Sequence, residues 1–220
     1  MITYTNEEAK KYTEQIVNAQ HFGLLQAWRL DPDPKVHTEE VLSRSTRLHI
    51  GSLSPKSILD IGCGTGEWLF QAGDMWPHAK LYGVNLFPSQ LPTNWVTPDL
   101  HLKTGAFEDV DLPKGFDLVT VNYTLGHFDD LHRVFSKIKS LLAPKGRVAI
   151  YDICRRSVLY DSVFGYKLWS KRGICRALSH VGFLVNNQVG IQYELDPMFD
   201  EVTKEEFRTK TCPIFITGGL

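Results

Sequence analysis

Two hydrophobic rhythms alternate along this chain. Short apolar runs lie at Ser57–Ile61, Lys80–Val84, Leu100–Lys103, Phe116–Val121 and Arg147–Ile153, and they read as strands. Helical spacing falls between them. One helix is expected from Glu67 to about Met75, before Pro77, and a short one after Pro88. Another is expected over Leu131–Leu142, with Val134, Phe135, Ile138, Leu141 and Leu142 inward and Asp129 or Asp130 as its cap. Pro144-Lys145-Gly146 stops it. A further helix runs from Lys171 to His180 and ends at Gly182. The last runs, Leu184–Tyr193 and Thr211–Thr217, have only a loop and a short helix between them and predict an antiparallel hairpin. Strands alternating with helices predict an α/β fold with a mainly parallel sheet and helices on both faces.

Upstream, residues 6–30 carry a helical pattern, with Asn6 as cap and Tyr12, Ile16, Val17, Phe22, Leu25 and Trp28 apolar. Asp31-Pro32-Asp33-Pro34 ends it. A second helix is expected over 37–50, with Val41, Leu42, Leu48 and Ile50 inward. The chain therefore divides into N-terminal helices over 1–52 and a core over 53–220, in one domain overall.

Composition narrows this further. The 220 residues are 43% hydrophobic and 22% charged, enough for one globular core and unlike a disordered chain. A net charge of −1 argues against a protein built on nucleic-acid affinity. No apolar run approaches the ~20 residues of a membrane span, and Met1–Glu8 has no signal-peptide pattern. Cysteines 63, 154, 175 and 212 form no Cys-x-x-Cys pair and read as reduced thiols of a cytoplasmic protein.

The chemistry concentrates in Ile58-Leu-Asp-Ile-Gly-Cys-Gly-Thr-Gly-Glu-Trp68. An apolar strand that breaks into glycines and opens a helix is a nucleotide-type binding element. The spacing is Gly-x-Gly-x-Gly, not the Gly-x-Gly-x-x-Gly of dinucleotide sites. Gly62-Cys63-Gly64-Thr65-Gly66, with Asp60 ahead, resembles the first motif of the class I S-adenosylmethionine-dependent methyltransferases, usually (V/I)LD(I/V)GCGTG.

The resemblance covers about residues 56–155 and implies a Rossmann-like seven-stranded sheet of order 3-2-1-4-5-7-6, with the last strand antiparallel. It implies S-adenosylmethionine as cofactor and S-adenosylhomocysteine as product. Asp60, Gly62, Cys63, Gly64 and Gly66 would hold the cofactor. So would Asn85 and Leu86, in Gly83-Val-Asn-Leu86 after the second strand. Most relatives carry an acidic residue where Asn85 stands, to accept both ribose hydroxyls; Asn85 can accept one and donate to another, or serve as a turn-former. Thr104-Gly-Ala-Phe-Glu-Asp109 takes the place of the GDAExLP motif. Its adenine-binding aspartate is Ala106 here, so adenine recognition falls to the backbone or to Phe107 and Glu108, although Glu108 suits a solvated loop equally. After the fourth strand, Asn122-Tyr-Thr-Leu-Gly-His127 lies beside the sulfonium methyl in the family, with Asn122 facing the methionine part. The prolines of the Asn/Asp-Pro-Pro-Tyr motif of amino-methylating DNA enzymes are missing.

Methyl transfer needs alignment and, for some acceptors, a base. His127 is the candidate base, because an ordinary histidine titrates near neutral pH; it can equally pack at the next helix start. Tyr123 can orient a substrate or face the sulfonium cation. The family's N-terminal helices often cap the substrate, which makes His21 and Trp28 candidates there, or core residues. After the fifth strand, Arg155 and Arg156 can meet an anionic group, with Tyr166 and Trp169 as an apolar wall. The Gly-Val-Asn-Leu pattern is similar to that of carbon methyltransferases of prenyl diphosphates, but Thr124 stands near the place of their glutamate. His127, Asp129, Asp130 and His132 lack a ligand spacing, so no metal is expected. The resulting expectation is a methyltransferase acting on O, N or C of a small molecule, as a monomer or homodimer with neither nucleic-acid nor membrane partners. The alternatives are a cofactor-binding cyclase or pericyclase of the same fold, and a non-catalytic interaction module.

Overall fold

A computed structural model describes residues 54–64, 66–87, 99–163, 166–190, 205 and 209–220. The expected helices over 6–30 and 37–50, the substrate cap over 1–52 and the short helix after Pro88 lie outside these residues.

The strands are β1 (Ser57–Ile61), β2 (Lys80–Asn85), β3 (Leu100–Thr104), β4 (Phe116–Asn122), β5 (Leu142–Arg155), β6 (Ser162–Val163), β7 (Tyr166–Lys167), β8 (Leu184–Gly190) and β9 (Thr211–Gly219). The helices are α1 (Glu67–Met75), α2 (Leu131–Leu141) and α3 (Lys171–Val181), with a 3-10 turn at Leu125–His127. Seven strands form one sheet of order β3-β2-β1-β4-β5-β9-β8. Only β9 runs against its neighbours, pairing antiparallel with both β5 and β8. This is the architecture expected from the motif.

The apolar runs follow from two-sided burial. Ile58 packs on one face with Trp68, Leu69 and Ala72 of α1. Leu59 and Ile61 pack on the other, with Val134, Phe135 and Ile138 of α2 and Ile174 and Leu178 of α3. A strand covered on both faces reads as a continuous apolar run and not as an alternating one. The order of strands reverses between β1 and β4, and a crevice forms outside the carboxyl ends of parallel strands at such a switch point.

Helix ends explain where the elements stop. Of the two expected caps, Asp130 is used: its Oδ1 accepts from the backbone N–H of His132 at 2.8 Å and Arg133 at 3.2 Å. Ser170 Oγ caps α3 by accepting from Gly173 N–H at 3.0 Å, and Gly182 closes it at φ 99°.

Two boundaries differ from the sequence expectation. α2 stops at Leu141, and Leu142 already belongs to β5, paired with Phe116. The register then jumps, so that Leu118 faces Arg147. Residues 143–146 bulge out opposite Asp117. Gly146 makes this possible, because a Cβ there would stand 2.6 Å from the Phe116 carbonyl oxygen. The second difference is the β6–β7 hairpin, with Ser162 paired to Lys167 and Val163 to Tyr166. No strand was expected there.

Removing the α2 cap should be costly in proportion to the two N–H groups it satisfies. Asp130→Ala should lower the unfolding free energy by about 1 kcal/mol in urea titration. An unchanged midpoint would mean that water replaces the cap at no cost.

Candidate active site

The glycine turn after β1 folds back on the end of β2. The N–H groups of Gly62 and Cys63 both donate to the Val84 carbonyl, at 2.8 and 3.1 Å. Gly62, Gly64 and Gly66 have φ of 73°, 52° and 80°. Gly66 is the N-cap of α1 and offers no side chain. The first N–H groups of α1 are thus left for an acceptor beyond the helix.

Gly62 is required on two counts. Its φ is left-handed, and a Cβ would fall 2.2 Å from Thr124 Oγ1 and 2.5 Å from its Cγ2. The turn after β1 therefore lies directly against the loop after β4. Asp60 fastens the same junction from below. Its Oδ1 accepts from Thr120 Oγ1 at 2.8 Å and from Asn122 Nδ2 at 3.1 Å. Burial pushes the Asp60 carboxyl up to about 7, although the two side-chain hydrogen bonds pull the other way.

The loop after β4 carries local strain. Tyr123 adopts φ 47°, a left-handed conformation unusual for a tyrosine. Its N–H donates to the Tyr151 carbonyl at 2.9 Å, and its ring stands edge-on to that of Tyr151. Beyond it, the N–H groups of Thr124 and Leu125 donate to Asp152 Oδ2 at 3.2 and 2.9 Å. The same carboxylate accepts Tyr166 O–H from the β6–β7 hairpin, at 2.8 and 2.9 Å to its two oxygens. Trp169 Nε1 donates to the Leu125 carbonyl at 2.9 Å. A Cβ on Gly126 would sit 2.5 Å from the Tyr166 ring. Asp152 is fully buried, and burial raises its carboxyl to about 6.

His127 ends the 3-10 turn, edge-on to Tyr166 with centroids 5.1 Å apart. Its side chain is exposed over part of its surface, and desolvation by the surrounding protein lowers its pKa to about 4. It is neutral across the physiological range, but is a weaker base than the sequence reading assumed.

The expected site residues divide accordingly. Asp60, Gly62, Cys63, Gly64, Gly66, Asn122, Tyr123 and His127 gather round the ends of β1 and β4. Asn85 and Leu86 join them at the end of β2. Asn85 Nδ2 donates to the Phe87 carbonyl at 3.1 Å, so the amide also braces its own turn. The Cys63 thiol is buried beside Gly83, where a Cβ would meet its sulfur at 2.8 Å. Phe107 is 4% exposed, packed edge-on to Phe128 beneath Lys137, and has little surface left for adenine. Glu108 is half-buried, and its carbonyl accepts from Lys137 Nζ at 3.1 Å. At the end of β5, Arg156 Nε is engaged by the Thr211 carbonyl at 2.6 Å, whereas Arg155 Nε is buried without a hydrogen-bond partner among the described residues. Tyr166 spends its hydroxyl proton on Asp152 and Trp169 its indole N–H on the Leu125 carbonyl. His21 and Trp28 lie outside the described residues. Among those residues, no three His, Cys, Asp or Glu side chains converge as for a metal.

Sequence reasoning missed Thr120 and Asp152. The available signal was polarity inside apolar strands: Leu-Val-Thr-Val and Ile-Tyr-Asp-Ile.

The residues fit an adenosyl amino acid. The glycine turn takes left-handed backbone at Gly62, Gly64 and Gly66, the α1 N–H groups, which no side chain caps, suit a carboxylate, and the Asn85 amide, at the end of β2, carries the donor and acceptor chemistry that a ribose needs. A family model described as a methyltransferase domain matches residues 37–188. The methyltransferase str2 of Strobilurus tenacellus is 32% identical over 105 residues, covering 45% of this chain and 36% of that protein. The O-methyltransferase cnsE of Penicillium expansum is 26% identical over 98% of this chain and 78% of its own length. The chain spans between a third and about half of the length of the first curated relatives that it matches. Two solved structures share the fold. The geranyl diphosphate C-methyltransferase of Streptomyces coelicolor superposes with a TM-score of 0.69 at 16% identity, covering 86% of each chain. The [4+2]-cyclase SpnF gives 0.76 at 11% identity, covering 99% of this chain and 97% of its own.

A buried carboxyl raised from 3.8 to about 7 favours folding at low pH, and that contribution is lost as pH rises through the folded value. His127, lowered to about 4, acts in the opposite sense, losing its contribution as pH falls. The clean readout is a difference. Relative to wild type, Asp60→Asn should gain stability steadily between about pH 4 and 7 in urea titration. A constant difference across that window would contradict a raised carboxyl.

Proposed function

The chain belongs to the class I S-adenosylmethionine-dependent methyltransferases, and we propose that it methylates a small molecule, with a hydroxyl as the acceptor that suits its site best. The contact of Gly62 with Thr124 carries this reading. It sets the cofactor cradle and the loop of His127 on a single rim, so a methyl donor held by the first faces an acceptor held by the second. Bound there, S-adenosylmethionine supplies an electrophilic methyl on a sulfonium and leaves as the neutral thioether S-adenosylhomocysteine.

The chain's own residues do the rest. Asp60 fixes the spacing of β1 and β4 through Thr120 and Asn122. Tyr123 presents its strained backbone toward the methionine part. His127, neutral at physiological pH, accepts a hydrogen bond from the acceptor hydroxyl and orients an oxygen lone pair. A hydroxyl oxygen that gains a methyl becomes strongly acidic, so even a weak base receives its proton. Arg155 is available to an anionic group on the acceptor. Asp152, through Tyr166 and the Thr124 and Leu125 N–H groups, holds the loop of His127 in place. No described helix is long and apolar enough to cross a membrane, and free cysteines are in keeping with a cytoplasmic setting.

A panel of hydroxylated and carboxylated small molecules, assayed with methyl-labelled cofactor, tests the reading. Label should enter at least one acceptor, and His127→Ala should then lower kcat about 10²-fold with cofactor KM changed less than about twofold. Wild-type turnover in the variant would remove His127 from the reaction. Cofactor binding without label in any acceptor would favour a cyclase of this fold.

A further inference from the structure

Cys154 and Cys212 stand directly opposite one another on the antiparallel pair β5–β9. Their sulfurs are 3.2 Å apart. Opposed residues in such a ladder have Cα atoms about 4.5–5.5 Å apart, inside the roughly 4.4–6.8 Å range that a disulfide spans. The strands need not move for the two sulfurs to bond.

We infer that Cys154 and Cys212 form a reversible disulfide under peroxide, a site of oxidative modification at the substrate-side end of the sheet. The inference rests on strand register and sulfur contact and does not depend on the proposed methyl acceptor.

The surroundings select this pair over the other two cysteines. Cys212 is half-buried and reachable, whereas Cys154 is 1% exposed. The hydrogen bond shared with Cys154, with Arg156 and Lys171 adding positive charge, outweighs burial and holds the Cys212 thiol down to about 6. The Lys171 N–H, at the start of α3, reaches Cys154. Burial pushes the thiols of Cys63 and Cys175 upward. The Cys212 thiolate therefore attacks hydrogen peroxide, breaking the O–O bond to give a sulfenic acid and hydroxide. The Cys154 sulfur then displaces the sulfenic oxygen, which leaves as water with the Cys154 proton, while the hydroxide of the first step becomes the second water by taking up the proton that the Cys212 thiol had released. The two thiols lose two electrons in total, and one peroxide becomes two waters.

The pair also lies where it can be felt. Cys154 bridges to Trp169, and the Arg155 N–H donates to the Trp169 carbonyl at 3.0 Å. Trp169 in turn holds Leu125, next to Gly126 and His127.

The test is peptide mapping of the full chain under non-reducing conditions after hydrogen peroxide, with and without dithiothreitol. The expected product is a cross-link between the Cys154 and Cys212 peptides, lighter by two hydrogen atoms and removed by dithiothreitol. In Cys154→Ser, dimedone should instead trap a sulfenic acid on Cys212. First oxidation at Cys63 or Cys175, or a Cys212 sulfenic acid in the wild-type chain that never cross-links, would overturn the proposal. The wild-type map decides even where the serine variant does not fold.

Discussion

The junction between β1 and β4 governs the site. Asp60 reaches across it to Thr120 and Asn122, and Gly62 lies against Thr124 with no room for a Cβ. Both contacts sit at the point where strand order reverses, so they set the width of the crevice in which a ligand binds. A carboxyl buried to this degree costs stability unless it is hydrogen-bonded or protonated. Asp60 is both hydrogen-bonded and held toward its protonated form, which is tolerated because the two strands are fixed by it.

A second layer of polar structure rests on that junction. Asp152 gathers two backbone N–H groups of the 124–125 loop and the Tyr166 hydroxyl on a single carboxylate. The loop after β4 and the hairpin after β5 are thus tied to one carboxylate as a unit. His127 is carried on this unit, and its depressed basicity follows from desolvation by the surrounding protein. Placement has been gained at the expense of base strength, a balance suited to an acceptor whose proton becomes acidic as the methyl arrives.

Much of this was readable in the sequence, for a physical reason. Backbone that must turn sharply and admit a ligand demands glycine, and Gly62-Cys-Gly-Thr-Gly66 declares that demand directly. Two-sided burial wrote β1, β4 and β5 as apolar runs, and their order followed from the motif. What escaped was long-range. Asp152 acts on Thr124, Leu125 and Tyr166, whose proximity depends on the hairpin Ser162–Lys167, and nothing local announced that hairpin. Phe107 looked available for adenine, but the packing of Phe128 and Lys137 claims its ring. Leu142 had the spacing of α2, yet pairing with Phe116 captured it for the sheet. His127 looked like an ordinary histidine because its neighbours in space are not its neighbours in sequence.

The account stands on the crevice being an adenosyl-amino-acid site. Isothermal titration of the chain with S-adenosylhomocysteine, with NAD in parallel, tests this most directly. Saturable one-to-one binding of S-adenosylhomocysteine and none of NAD is the predicted result. Absence of S-adenosylhomocysteine binding by a folded chain would contradict the account, and would mark Asn85 and Ala106 as signs of a lost site.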